Sequence, residues 1–247
     1  MSGVGIGLGV RQRGLFTPRL LFARGEAGAW YDPSDIGSMF QDSAGTIAAA
    51  VDSPVGRIND KSGRGNHAVQ ATAAARPMLR IDGGGRPYLE FDGVDDCLRK
   101  AFAIAQPWDR ISAVRQISWS TNRRLFSGAA ATSGDLRQSG VSPQLLMTSG
   151  GVGMSVGSLA TGVNGILTER HSGATSRIAV NNEAYVTGEG GSTAVDGISI
   201  AEIGTTAGLI RASNIRLYGV CMIGRALTDG ETLRMRRFLA MKAGVVL

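Results

Sequence analysis

The sequence predicts an all-β protein of short antiparallel strands with one short C-terminal helix, and three observations carry that expectation. Glycine is abundant, at 36 residues against 7 prolines and 6% aromatics, which suits many strands joined by tight turns. Apolar residues recur at every second position in several stretches, most clearly at Leu89 and Phe91 and again in 198–203 and 215–223. A helical period appears only near the C-terminus, where Met235, Phe238 and Leu239 stand at i, i+3 and i+4. With 43% hydrophobic residues over 247 positions the chain can bury a sizeable core, and one large domain is the simpler reading.

Taken in order, residues 1–27 alternate glycine with small aliphatics and show neither period. They read as an extended arm for attachment or oligomer contacts, with Arg11, Arg13, Arg19 and Arg24 as its partner-binding cations, ahead of a folded domain over 28–247. The Gly-x-Gly-x-Gly run in 4–10 lacks the preceding strand and following helix of a nucleotide loop. Trp30 and Tyr31 then lead into an Asp32-Pro33 turn and should plug the core. Residues 59–68 crowd turn formers into a structured loop, in which His67 reads as a hydrogen-bonded turn residue.

Tyr88, Glu90 and Asp92 alternate with Leu89 and Phe91, giving a strand with one wet and one dry face, and Gly93 permits the turn that ends it. Strands are further expected in 111–119, 124–126, 145–156 and 165–170, and Asn181-Asn182 should turn a hairpin because Asn tolerates positive φ. Residues 215–223 are apolar on both faces, which predicts a central strand covered on both sides. Thr228 and Glu231 form a capping box at the start of the closing helix, and Lys242 suits its other end.

The net charge of +6 comes almost wholly from scattered arginines without interleaved aromatics, which argues against nucleic acid as a partner. Cys97 and Cys221 sit in apolar patterns as small hydrophobes, with no metal-ligand spacing. No run approaches membrane-spanning length and no basic segment precedes the apolar start, so a soluble, cytoplasmically made protein without membrane insertion is expected.

Four motifs in order carry a resemblance: the Lys-Ser-Gly-x-Gly-Asn-His loop at 61–67, the Leu-x-Phe-Asp-Gly-Val-Asp-Asp strand and turn at 89–96, the Val-Asn-Asn hairpin at 180–182, and the Arg-Ala-Leu-Thr-Asp-Gly-Glu helix start at 225–231. From about residue 29 to 240 the chain resembles the concanavalin A-like, laminin-G-type jelly rolls. The opening Ala-Trp-Tyr-Asp-Pro-Ser-Asp at 29–35 looks like a subgroup of virion proteins of tailed bacteriophages. The resemblance implies a two-sheet antiparallel jelly-roll sandwich, an architecture that hosts sugar binding, glycan hydrolysis and plain structural roles.

On that resemblance the expected function is a non-enzymatic structural component of a phage virion, a decoration, fibre or tail-associated protein. Its arm would anchor it to other virion proteins, and a homo-oligomer is expected. The alternative is a lectin-like module gripping a host-surface glycan, with glycan hydrolysis a third reading. Hydrolysis needs two carboxylates poised across a glycosidic bond. Glu90 and Asp92 share a strand face by spacing, but 198–203 supplies only Glu202. For sugar binding, Trp108 with Asp109 and Arg110 is the one loop-like aromatic with polar neighbours. Asp92, Asp95 and Asp96 either cap their turn or hold a cation; calcium is the only cofactor the resemblance allows.

Overall fold

The computed structural model describes residues 16–129, 133–202 and 211–247, so Arg11, Arg13, the glycine-rich 4–10 stretch and Ile203 lie outside it. Two antiparallel sheets make up the fold. The first orders its strands Val186–Gly188, Ser176–Val180, Asn164–His171, Trp108–Gln116, Asn214–Ile223, Pro87–Asp92 and Met78–Ile81, with Gly28–Tyr31 also paired to Asn214–Ile223. The second runs Val152–Ser158, Gln144–Ser149, Asp135–Gln138, Arg124–Ser127, Val195–Ile200, Leu98–Ile104, Ala68–Val69, Arg57–Ile58 and Met39–Phe40. This is the two-sheet sandwich the sequence predicts.

Alternation along the strands divides the apolar residues into two layers. Leu89, Phe91, Val114, Leu167 and Leu217 of the first sheet meet Leu98, Phe126, Leu136, Met147 and Ile198 of the second in the interior. Their neighbours Tyr88, Ile111, Ile166, Tyr218 and Cys221 point the other way, against the C-terminal helix. Each fully buried large aliphatic or Phe side chain stabilises by roughly 1.5–3 kcal/mol, so both layers are needed. Asn214–Ile223, paired on both sides and covered on both faces, is the central strand expected of 215–223.

The helix Asp229–Ala243 begins at the predicted capping box: Thr228 Oγ1 accepts from the Glu231 backbone N–H, and the Glu231 carboxylate accepts from that of Thr228. Hydrogen bonds from Arg225 hold the Glu231 carboxyl down at about 2. Met235, Leu239, Ala240 and Ala243 pack on the sheet, and Gly244 ends the helix in the left-handed conformation, at φ 65°. No helix among the described residues is long and apolar enough to cross a membrane.

Three expectations change. The described end of the arm does not extend away: Pro18–Phe22 forms a 3-10 turn whose Leu21 and Phe22 are buried in the helix-side layer. Residues 145–156 are two strands, because Gly150 and Gly151, both at positive φ, turn the chain between Gln144–Ser149 and Val152–Ser158. The strand expected over 198–203 is Val195–Ile200, and it stops where Ala201 takes φ 67°.

An ion pair buried within the first sheet is tied across the interior to the second. Arg110 donates to both Glu169 carboxylate oxygens, at 2.9 and 2.6 Å, with both side chains fully buried. Its third bond runs 3.0 Å to the carbonyl of Gly134, at the head of the strand Asp135–Gln138 in the opposite sheet. Removing one partner leaves an uncompensated buried charge, whereas replacing both with apolar groups does not. Glu169→Gln should therefore destabilise by about 3–5 kcal/mol in urea unfolding, and Arg110→Met with Glu169→Leu should recover most of that loss.

Candidate functional site

Trp108, Asp109 and Arg110 are not the exposed platform that the sequence suggested. They open the strand Trp108–Gln116, and all three are buried. The register sets Trp108 opposite His171 and Arg110 opposite Glu169, and the Trp108 and His171 rings stack at 3.8 Å. Burial pushes the His171 imidazole below its ordinary value, so it stays neutral near pH 7. Glu169 lies below the ordinary carboxyl range: burial acts to raise it, but the Arg110 charge and the hydrogen bonds outweigh burial. Asp109 faces the helix side, where it takes a two-pronged bond from Arg170, at 2.8 and 2.7 Å, and accepts from the Leu227 N–H just before the helix cap. The trio ties strands, sheets and helix together and presents nothing to a ligand.

The aspartate turn keeps the form the sequence implies. Gly93 adopts φ 78°, and a Cβ there would lie 2.9 Å from the backbone nitrogen of Asn214 on the adjoining strand, so only glycine fits. Asp96 accepts from the Asp92 N–H and Asp92 accepts from the Val94 N–H, so both carboxylates cap the turn. One carboxylate oxygen from each of Asp92, Asp95 and Asp96 lies within 4.8 Å of the others. These are the hard oxygen donors that calcium takes, and a calcium ion would complete its shell of six to eight ligands with water or carbonyls.

Of the other acids considered, Glu90 is committed to two arginines, with Arg216 at 3.2 Å and Arg80 at 3.6 Å. It is therefore not half of a free catalytic pair with Asp92. His67 serves its loop as expected, its Nδ1 accepting from the Asp60 N–H at 3.0 Å. Arg19 and Arg24, the described members of the arm's cations, are exposed.

Beside the aspartate turn lies an open groove of about 480 Å³, lined by Gln70, Thr72, Ala75, Asp95, Arg99 and Glu202 among others. Its parts come from three separated stretches, joined because Val69 pairs with Arg99 and the Cys97 N–H donates to the Ala75 carbonyl. Arg99 binds the Glu202 carboxylate and, with Gln70, donates to the Cys97 sulfur. Burial pushes the Cys97 thiol up to about 12, so it is an acceptor and not a nucleophile. No local motif announced this groove; Glu202 stood out only as the lone acid of the stretch 198–203. Among the described residues no aromatic side chain is fully exposed, so the groove offers hydrogen bonds and charge and no stacking platform.

No family model and no curated protein matches the chain. Solved structures do resemble it. The Trypanosoma rangeli sialidase matches with a TM-score of 0.56 at 14% identity, over 90% of this chain and 34% of the sialidase chain. Domain 4 of a GH43 extracellular arabinanase from Geobacillus stearothermophilus, in complex with arabinotriose, matches with a TM-score of 0.54 at 11% identity, covering 84% of this chain and 97% of that one. The botulinum neurotoxin type G receptor-binding domain gives 0.53 at 11%, over 74% of this chain and 49% of its own. The chain thus spans about a third of the sialidase it resembles, and the class it shares with all three is the β-sandwich domain.

These likenesses correct the expected function. The solved structures that resemble the chain are a sialidase, an arabinanase domain and a toxin receptor-binding domain, and none of them supports the expected non-enzymatic structural virion protein.

The turn yields a pH test. Burial, reinforced by the charges of Asp92 and Asp95, raises the Asp96 carboxyl to about 6, above the ordinary value of 3.8. Between these values the folded state binds the extra proton, so this group's contribution to stability falls as pH rises from about 4 to about 6. Asp96→Asn should flatten that fall in a series of melting temperatures, leaving the two proteins closer at pH 4 than at pH 7.

Proposed function

We propose that the chain is a glycan-recognising β-sandwich module that binds neutral sugars through the groove beside the aspartate turn. The observation that carries this reading is the convergence of Gln70, Thr72, Asp95, Arg99 and Glu202 in one open groove. Planar amide, guanidinium and carboxylate groups suit the paired hydroxyls of a sugar ring, each donating or accepting in a fixed direction. Without an exposed aromatic the site gains little from stacking, so affinity should be modest and dependent on several hydrogen bonds at once. The likeness to an arabinanase domain that holds arabinotriose supports a short neutral oligosaccharide as the first ligand to try.

The proposed role is binding without hydrolysis. The groove's two carboxylates both have other work: Glu202 is paired with Arg99, and Asp95 belongs to the aspartate cluster. Hydrolysis would need one free carboxylic acid and one free carboxylate facing each other across the bond.

Isothermal titration with arabinotriose, supported by a glycan array, tests this. Arg99→Ala should weaken binding at least tenfold with an unchanged circular dichroism spectrum, and prolonged incubation should release no reducing sugar. Failure to bind any glycan on the array, or binding indifferent to Arg99→Ala, would refute the reading.

A further inference from the structure

A second cleft lies between the 3-10 turn Pro18–Phe22 and the loop that joins the strands Arg57–Ile58 and Ala68–Val69. Thr17, Arg19, Trp30, Asp60, Lys61 and Arg64 are among the residues that line its two adjoining hollows, of about 380 and 460 Å³. The loop wall is built rigidly around one carboxylate. Asp60 accepts from the backbone N–H groups of Trp30, Ser62 and Asn66 and from the Ser62 hydroxyl, at 2.8–3.0 Å. Those bonds occupy the Asp60 oxygens, so this carboxylate borders the second hollow already committed to the loop, and the loop's exposed charge is that of Arg64.

The cations of this cleft differ in their engagement. Lys61 is satisfied, 2.6 Å from Asp35 and 4.9 Å above the Trp30 ring. Arg19 and Arg64 have no carboxylate partner among the described residues. Their guanidinium groups reach across from opposite walls. Arg19 Nη2 comes within 3.7 Å of where a Cβ on Gly63 would stand, and Arg64 Nη1 within 3.9 Å of the same point on Gly25. Trp30 is 5% exposed, and its indole N–H, buried beside this basic cleft, has no hydrogen-bond partner among the described residues. A buried unpaired N–H costs free energy, and two guanidinium groups without carboxylate partners among the described residues leave positive charge on one cleft. An oxyanion held there neutralises that charge, and planar guanidinium groups match its paired oxygens.

The geometry points to an anion-binding site in this cleft, separate from the groove, that takes the carboxylate or sulfate group of an acidic ligand between Arg19 and Arg64. Trp30, which lines the adjoining hollow together with Arg19, reports occupancy.

Trigalacturonate and inorganic sulfate serve as the carboxylate and sulfate probes, titrated into the full chain while the indole N–H resonances are followed by NMR, with Trp30→Phe assigning the signal. The Trp30 resonance should shift on titration while that of Trp108, buried between the sheets, stays in place. Arg19→Ala and Arg64→Ala should each weaken the better probe at least tenfold, with unchanged melting temperatures. Arg237→Ala, which removes an exposed charge on the helix, should leave affinity unaltered. Equal losses in all three arginine variants, an unmoved Trp30 resonance, or failure of both probes to bind would overturn the assignment. None of these outcomes depends on the neutral-sugar groove.

Discussion

The sandwich is organised around a charge buried between its sheets. Arg110 lies fully buried between the sheets, held by Glu169 on the neighbouring strand, and reaches the opposite sheet through the Gly134 carbonyl. Its guanidinium also lies 4.7 Å from the Phe126 ring centroid and 5.5 Å from that of Trp108. An ion pair in such a place gains little over apolar packing in net stability. What it adds is definition. A one-residue slip between Trp108–Gln116 and Asn164–His171 would turn one of the two charges toward the wrong face, so the pair selects a single register.

That frame leaves recognition to the edges. On the helix side, Asp109, Arg170 and Leu227 lock the helix entrance to the sheet, and the capping box with Arg225 completes the closure. On the second sheet, the short strands Ala68–Val69 and Arg57–Ile58 end in loops, one carrying residues toward the groove at Arg99 and the other forming the wall of the basic cleft. Loops on a rigid sandwich can vary without disturbing the pair at its centre.

Much of the frame was legible in the sequence because its signals are local. The alternation at Leu89 and Phe91, the doubly apolar run at 215–223, the Gly93 turn and the Thr228 capping box each act within a few residues. The sites were not legible, for the converse reason. Trp108 reads as a loop aromatic after Pro107 until pairing sets it against His171, 63 positions away, and Arg110 reads as exposed until it meets Glu169. The groove brings together residues near 70, 95 and 202 through strand register and a backbone hydrogen bond between distant stretches, which no spacing in the chain records. The arm misled in a similar way, since Leu21 and Phe22 look like an unpatterned apolar stretch until the helix covers them.

Hydrogen exchange read by mass spectrometry, with and without saturating arabinotriose, tests the division between frame and recognising edge most directly. Added protection should be confined to peptides spanning 69–75 and 92–99, with 108–116 and 164–171 already strongly protected and unchanged. Protection appearing instead in the strands that carry Trp108 and Arg110, or no protection anywhere, would contradict it.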